Sequence, residues 1–200
     1  DRQRPRHKFE GGGGNFVYGL DSPVTQYALD QLQVSWARTA LSLAEWEPTN
    51  DNASPSNTDW LALGRSDRPG SDLRREFLFG SQLGRRRIPT CISIWRLPEW
   101  MYTDPGKGRE AQGRRIAEGR WPEVLEGIGS YLLYARRQYG FEPVLFSFNE
   151  ASEGVNVALT ATEHRDAIRR IGAHLAQLGL KTKMLLGDVG SPRGTTDYVR

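Results

Sequence analysis

Short apolar runs that end in polar or aromatic residues alternate along this chain with longer stretches of helix-like periodicity. The runs lie at 15–19, 37–43, 90–95, 143–148 and 182–186. Between them apolar positions recur at helical spacing: Tyr27, Leu29 and Leu32; Leu73, Phe77 and Leu83; Val124, Ile128, Tyr131 and Ala135; Ile168, Ile171, Leu175 and Leu178. Start signals precede these stretches at Ser22-Pro23, Ser71-Asp72, Trp121-Pro122-Glu123 and Thr160 or Thr162, and Gly140 and Gly179 stand where two of them should stop. The first helix is expected to reach about Ser35, and 196–200 reads as the opening of another. A loop at 49–70, rich in Asn, Ser, Pro and Asp, is long enough to suggest a function beyond connection.

Repeated strand–helix units predict parallel pairing in sequential order, hence an α/β barrel of the TIM type, incomplete here with about five of eight units. Barrels of this kind take about 250 residues or more, so residues 1–200 read as the N-terminal portion of a single barrel domain. The chain opens on Asp1-Arg2-Gln3 rather than Met, which reads as a trimmed start.

Polar, aromatic or acidic residues gather just after the strands, where barrel enzymes build their sites. They are Arg38, Trp46 and Glu47 on the second unit, Trp95 and Trp100 on the third, Asn149 and Glu150 on the fourth, and Asp188 on the fifth. A carboxylate such as Glu150, at the end of an apolar strand with little water around it, suits a general acid. The plainer reading is a strand-end Glu that caps or salt-bridges. Trp46, Trp95 and Trp100 have rigid faces that suit stacking on pyranose rings, and each could also be core filling; Tyr102 and Trp60 extend the same platform. Glu47 and Asp188 read more readily as ion-pair partners of arginines than as ligands of sugar hydroxyls.

Composition removes several alternatives. Cys91 is the only cysteine and lies in an apolar run, which excludes an internal disulfide and suits a buried structural thiol. His7, His164 and His174 have no metal-ligand spacing, so neither a metal nor a cofactor is expected, and the glycines at 11–14 precede a strand instead of leading into a helix as a phosphate loop does. A net charge of +3 spread over 27 basic and 24 acidic side chains is a mixed surface without a nucleic-acid signature. No apolar run approaches the length of a membrane span.

Ser147-Phe148-Asn149-Glu150, at the end of the fourth strand, resembles the Asn-Glu signature of clan A glycoside hydrolases. Phe9 to Phe16 is similar to the glycine-rich first strand of glycoside hydrolase family 30 and its relatives, and Trp95-Arg96-Leu97-Pro98-Glu99-Trp100-Met101 resembles that family's third-strand segment. The resemblance implies a retaining glycosidase acting on a β-linked glycan, with Glu150 as acid/base, Asn149 on the sugar 2-hydroxyl, and Arg38 as the strand-two arginine beside the nucleophile. It places the nucleophile on strand seven, beyond these five units, so no residue of this chain is assigned that role. The expected partners are an oligo- or polysaccharide substrate and the C-terminal remainder of the barrel, with neither nucleic acid nor membrane. Polymeric substrates imply a secreted or periplasmic protein. The alternative is a non-catalytic carbohydrate-binding barrel that keeps the aromatic rim.

Overall fold

Alternation along each strand decides which side chains meet the helices and which meet the barrel interior. In β2 (Trp36–Leu41), Ala37, Thr39 and Leu41 are buried, while Arg38 and Ala40 face the other way. In β3 (Thr90–Ile94) and β4 (Leu145–Phe148), Ile92, Ile94, Phe146 and Phe148 enter the main core, leaving Cys91, Ser93 and Ser147 on the opposite face. With β1 (Gly13–Phe16) and β5 (Lys183–Met184) these form one five-stranded sheet in the order β1-β2-β3-β4-β5, every neighbouring pair parallel. The sequential parallel order expected from the sequence is therefore present. The structure, a computed structural model, describes residues 11–107, 111–153, 157–186 and 188–199, with no side-chain description for 192–194 and 199. Phe9 and Glu10 of the glycine-rich stretch, the basic segment 2–8, Gly187 and Arg200 lie outside the described residues.

Two strands differ most from the expected bounds. β1 begins at Gly13, earlier than its apolar residues suggest, because a Cβ there would lie 2.4 Å from the Trp36 carbonyl oxygen and only glycine allows β2 to come so close. β5 keeps two ladder residues of the five expected.

The helices follow their signals. Ser22 accepts from the Thr25 amide to start α1 (Pro23–Gln31), and Ser71 does the same for α4 (Asp72–Arg85) at Arg74. α5 (Trp121–Tyr139) ends on Gly140 at φ 63°, and α6 (Ala161–Gln177) opens with a reciprocal capping box between Thr160 and Glu163. α1 stops short of Ser35, with Gln33 in the left-handed region at φ 48°, and α7 (Pro192–Val199) begins four residues before the expected 196. Two short helices are not among the expected elements: α2 (Leu43–Trp46) starts inside the second apolar run at 37–43, whose strand ends at Leu41, and α3 (Trp60–Gly64) lies in the loop at 49–70. Among the described residues no helix is long and apolar enough to cross a membrane.

α2 overturns the expectation for Trp46. It turns the indole inward, where it is fully buried between Phe77, Tyr131 and Tyr134 and donates through Nε1 to Ser130 Oγ at 2.9 Å. Trp46 has no face to offer a sugar and is core. Tyr102 is likewise buried, its hydroxyl accepting from the Leu97 amide and its ring covered by the Arg114 guanidinium at 3.7 Å. Trp60 stays partly exposed, with the guanidinium of Arg137, from the last turn of α5, 5.2 Å from its ring centroid. α5 ends where β4 is about to begin, so Arg137 stands at the opposite end of the sheet from Asn149.

Candidate active site

The interior face of the sheet carries Arg38 in its second strand, and a half-buried guanidinium needs acceptors. It finds three. Nε donates to Ser93 Oγ at 2.7 Å, and Nη2 donates to Asn149 Oδ1 at 2.6 Å and to Asp188 Oδ2 at 2.7 Å. Ser93 and Ser147 share a hydrogen bond of 2.8 Å, and Ser147 donates to the same Asp188 oxygen at 2.5 Å. β2, β3, β4 and the segment after β5 are thus tied into one polar ring around a single positive charge. The bland reading of Asp188, an arginine's ion-pair partner, matches its contact with Arg38.

Asn149 is buried, and its carbonyl oxygen is spent on Arg38. Its Nδ2 approaches Glu150 Oε2 at 3.4 Å, so the two residues of the signature touch each other. Glu150 itself is half-buried and sits at φ 45°, the left-handed region that costs a non-glycine residue about 1–2 kcal/mol. Its backbone turns sharply there, and its carbonyl accepts from the Glu153 amide at 2.9 Å. The strain turns the chain out of β4 while the carboxylate stays beside Asn149.

Trp95 leaves β3 half-buried, with the Arg38 guanidinium 5.9 Å from its ring centroid. Its Nε1 is buried and has no hydrogen-bond partner among the described residues. Next to it opens a cavity of about 410 Å³, bounded by Tyr18, Ser42, Glu76, Trp95 and Arg96 among others. Arg38, Trp95, Asn149 and Glu150 therefore share one rim. Trp100 is half-buried elsewhere on the same side, donating from Nε1 to the Glu47 carbonyl oxygen at 3.3 Å with Arg120 over its ring at 5.3 Å. Glu47 meets neither expectation, because it is buried and pairs with no arginine among the described residues.

Ser93 and Ser147, which complete the ring, are not among the residues singled out from the sequence. Their signal is present there: in Cys91-Ile92-Ser93 and Phe146-Ser147-Phe148-Asn149 small or polar residues alternate with large apolar ones, the period of a strand with one polar face. Cys91 lies beside Ser147 at 4.0 Å, and burial pushes its thiol above the ordinary range, as for an inert structural cysteine.

No family model matches this chain, and no curated protein matches it. Solved structures do. SrfJ from Salmonella typhimurium superposes with a TM-score of 0.64 at 18% identity, over 91% of this chain and 44% of that one. The endo-β-1,6-glucanase BT3312 gives 0.59 at 15%, over 89% and 44%. A family 30 subfamily 8 xylanase, Xyn30A from Clostridium acetobutylicum, gives 0.59 at 15%, over 89% and 42%. Identities this low speak for the fold: the five parallel units are an incomplete barrel, shared with part of each of these solved structures, a family 30 glycoside hydrolase among them. The chain spans less than half the length of each of these three structures.

Proposed function

We propose that this chain is the acid/base half of a retaining glycosidase that cleaves a β-linked glycan. The supporting observation is the contact of Glu150 with an Asn149 that is itself fixed by Arg38, at the end of the fourth strand. In this reading Glu150 protonates the departing glycosidic oxygen and then takes a proton from the attacking water. Asn149, locked by its carbonyl, directs its amide N–H toward the sugar, and Trp95 and Trp100 offer ring faces to pyranose units. The nucleophile is a second carboxylate supplied from outside these five units, about 5–5.5 Å from Glu150 in a retaining enzyme. The chemistry needs no cofactor, and a polymeric substrate implies export.

The test uses the full-length protein. Replacing Glu150 with Gln or Ala should slow hydrolysis of a substrate with a poor leaving group by roughly 10²–10⁴-fold. An activated aryl glycoside should lose far less in its first step, and azide should restore its turnover. Equal losses on both substrates without azide rescue would make Glu150 a binding residue and favour a non-catalytic carbohydrate-binding barrel.

A further inference from the structure

Behind Trp100 three carboxylates converge away from water. Glu47 follows α2, and Glu123 and Glu126 stand three residues apart on one face at the start of α5. All three are buried, Glu47 to 1% exposure. One oxygen from each lies within 4.8 Å of the others. Neither oxygen of Glu47 has a hydrogen-bond partner among the described residues, and Oε2 of Glu123 has none either. No Lys or Arg pairs with any of the three among the described residues.

Such a cluster needs a positive charge or extra protons, since ionised carboxylates without a counter-charge are not left in a dry interior. With neither supplied by a side chain, burial followed by Glu126, Asp51 and Glu123 pushes Glu47 up to about 9. The surroundings nevertheless hold the carboxylates in place. Gly127 leaves room for Glu47, because a Cβ there would lie 2.7 Å from its Oε2. Asn52 donates to both oxygens of Glu126, at 2.9 and 3.1 Å, and to Asp51 Oδ1 at 2.9 Å. Oδ2 of Asp51 is buried without a partner among the described residues.

We propose that Glu47, Glu123 and Glu126, with Asp51 at the edge, bind one hard divalent cation, Ca²⁺ before Mg²⁺. The donors are all oxygens, which argues against a nitrogen- or sulfur-seeking metal. Separations within 4.8 Å let one ion reach all three oxygens, and a cage built from protein carboxylates suits Ca²⁺, which takes six to eight oxygens in flexible geometry, better than Mg²⁺, which keeps several waters. The cation joins α2, α5 and the polar loop beyond residue 49 at one point. It also fixes the backbone of Glu47, whose carbonyl receives the Trp100 indole, so metal binding sets the position of one rim aromatic. The site stands on its own geometry and does not depend on the glycosidase reading.

The experiment titrates Ca²⁺, Mg²⁺ and Mn²⁺ into the full-length protein after dialysis against a chelator, reading calorimetric binding and melting temperature. Ca²⁺ should bind with a stoichiometry of one and raise the melting temperature, and E47Q should weaken it roughly 100-fold or more, since even outer-shell changes cost metal sites 10–100-fold. Terbium provides a check on the unmodified protein: its luminescence, sensitised by the nearby tryptophans, should rise on binding and be displaced by Ca²⁺. If no cation binds, or if E47Q and wild type bind alike, the proposal falls and the cluster is a set of carboxyls that share protons.

Discussion

Asp188 and Glu47 are both carboxylates drawn out of water near the strand ends, in opposite surroundings. Asp188 faces a guanidinium and a hydroxyl, each within 2.7 Å. Glu47 faces other carboxylates and has no donor among the described residues. The chain's own folding neutralises the first, because β2 carries Arg38 into the same ring that β4 and the segment after β5 enter. For the second, neutrality must come from solution, as protons or as a metal ion. The difference separates a network that is complete as a piece of protein from one that is half of a binding site. Glu76 lies between these extremes: it is half-buried and accepts from two neutral donors, Ser42 at 2.5 Å and Tyr131 at 3.1 Å.

The largest effect should come from removing the guanidinium at the centre of the polar ring. Arg38→Met leaves Asp188 and the Asn149 carbonyl without their donor, and breaking a pair buried to this degree costs about 3 kcal/mol. Arg38→Lys should recover part of this, since a single ammonium cannot reproduce a planar fork that reaches three partners. Urea unfolding of the full-length protein measures both. E47Q, in chelator, should show no such loss, because the carboxyl it replaces has no cationic partner among the described residues to leave behind. If R38M costs under about 1 kcal/mol, Arg38 is a surface charge in effect, and the contrast between rim and cluster disappears.

Glu76 gives the next effect, through pH. Burial pushes its carboxyl from 4.5 up to about 7, against the pull of Ser42 and Tyr131, with Asp72 adding to the rise. Between those two values the folded state holds a proton that the unfolded chain has released. Stability therefore falls as pH rises from 4.5 to about 7 and is level above it. Every pH unit across that window changes stability by about 1.4 kcal/mol at most, so the full change stays near or below about 3 kcal/mol. Glu76→Gln keeps the shape and cannot ionise. The unfolding free energy of E76Q minus that of wild type should climb across this window and be flat outside it. A difference that does not vary with pH would mean that the Glu76 carboxylate stays hydrated in the folded protein.

Much of the architecture is legible in the sequence because it rests on local chemistry. Ser22, Ser71 and Thr160 announce helix starts through side chains that bond their own backbone, and Gly140 supplies the left-handed turn that ends α5. The proximity of Trp95, Asn149 and Glu150 follows from strand order, since residues just after adjacent parallel strands must share a rim, and Arg38, third in β2, reaches them through the length of its side chain. Trp46 is not legible in this way, because one turn of helix decides whether a strand-end indole faces solvent or core. The pocket that receives it comes from Phe77, Tyr131 and Tyr134 in distant helices. Glu47 is illegible for the same reason: its companions come from α5, and no spacing along the chain connects them. Ser93 and Ser147 are legible in principle, through the period of two that their small side chains mark.

The smallest change tests whether charge alone holds Asp188. Arg38 Nε donates to Ser93, Ser93 and Ser147 share a hydrogen bond, Ser147 donates to Asp188, and Asp188 also accepts from Arg38, so the hydrogen bonds close a ring. Ser147→Ala removes one hydroxyl from this ring and leaves the ion pair. Asp188 keeps its strongest donor, and Ser93 keeps the bond from Arg38. The loss should be that of one ordinary hydrogen bond, about 1 kcal/mol, well under the loss for R38M. Combining S147A with R38M completes a double-mutant cycle. A coupling below about 0.5 kcal/mol would mean that the two donors act on Asp188 separately. If S147A instead costs as much as R38M, with a coupling nearly as large, the four groups act as one unit, and the rim would owe its rigidity to the closed ring rather than to its single positive charge.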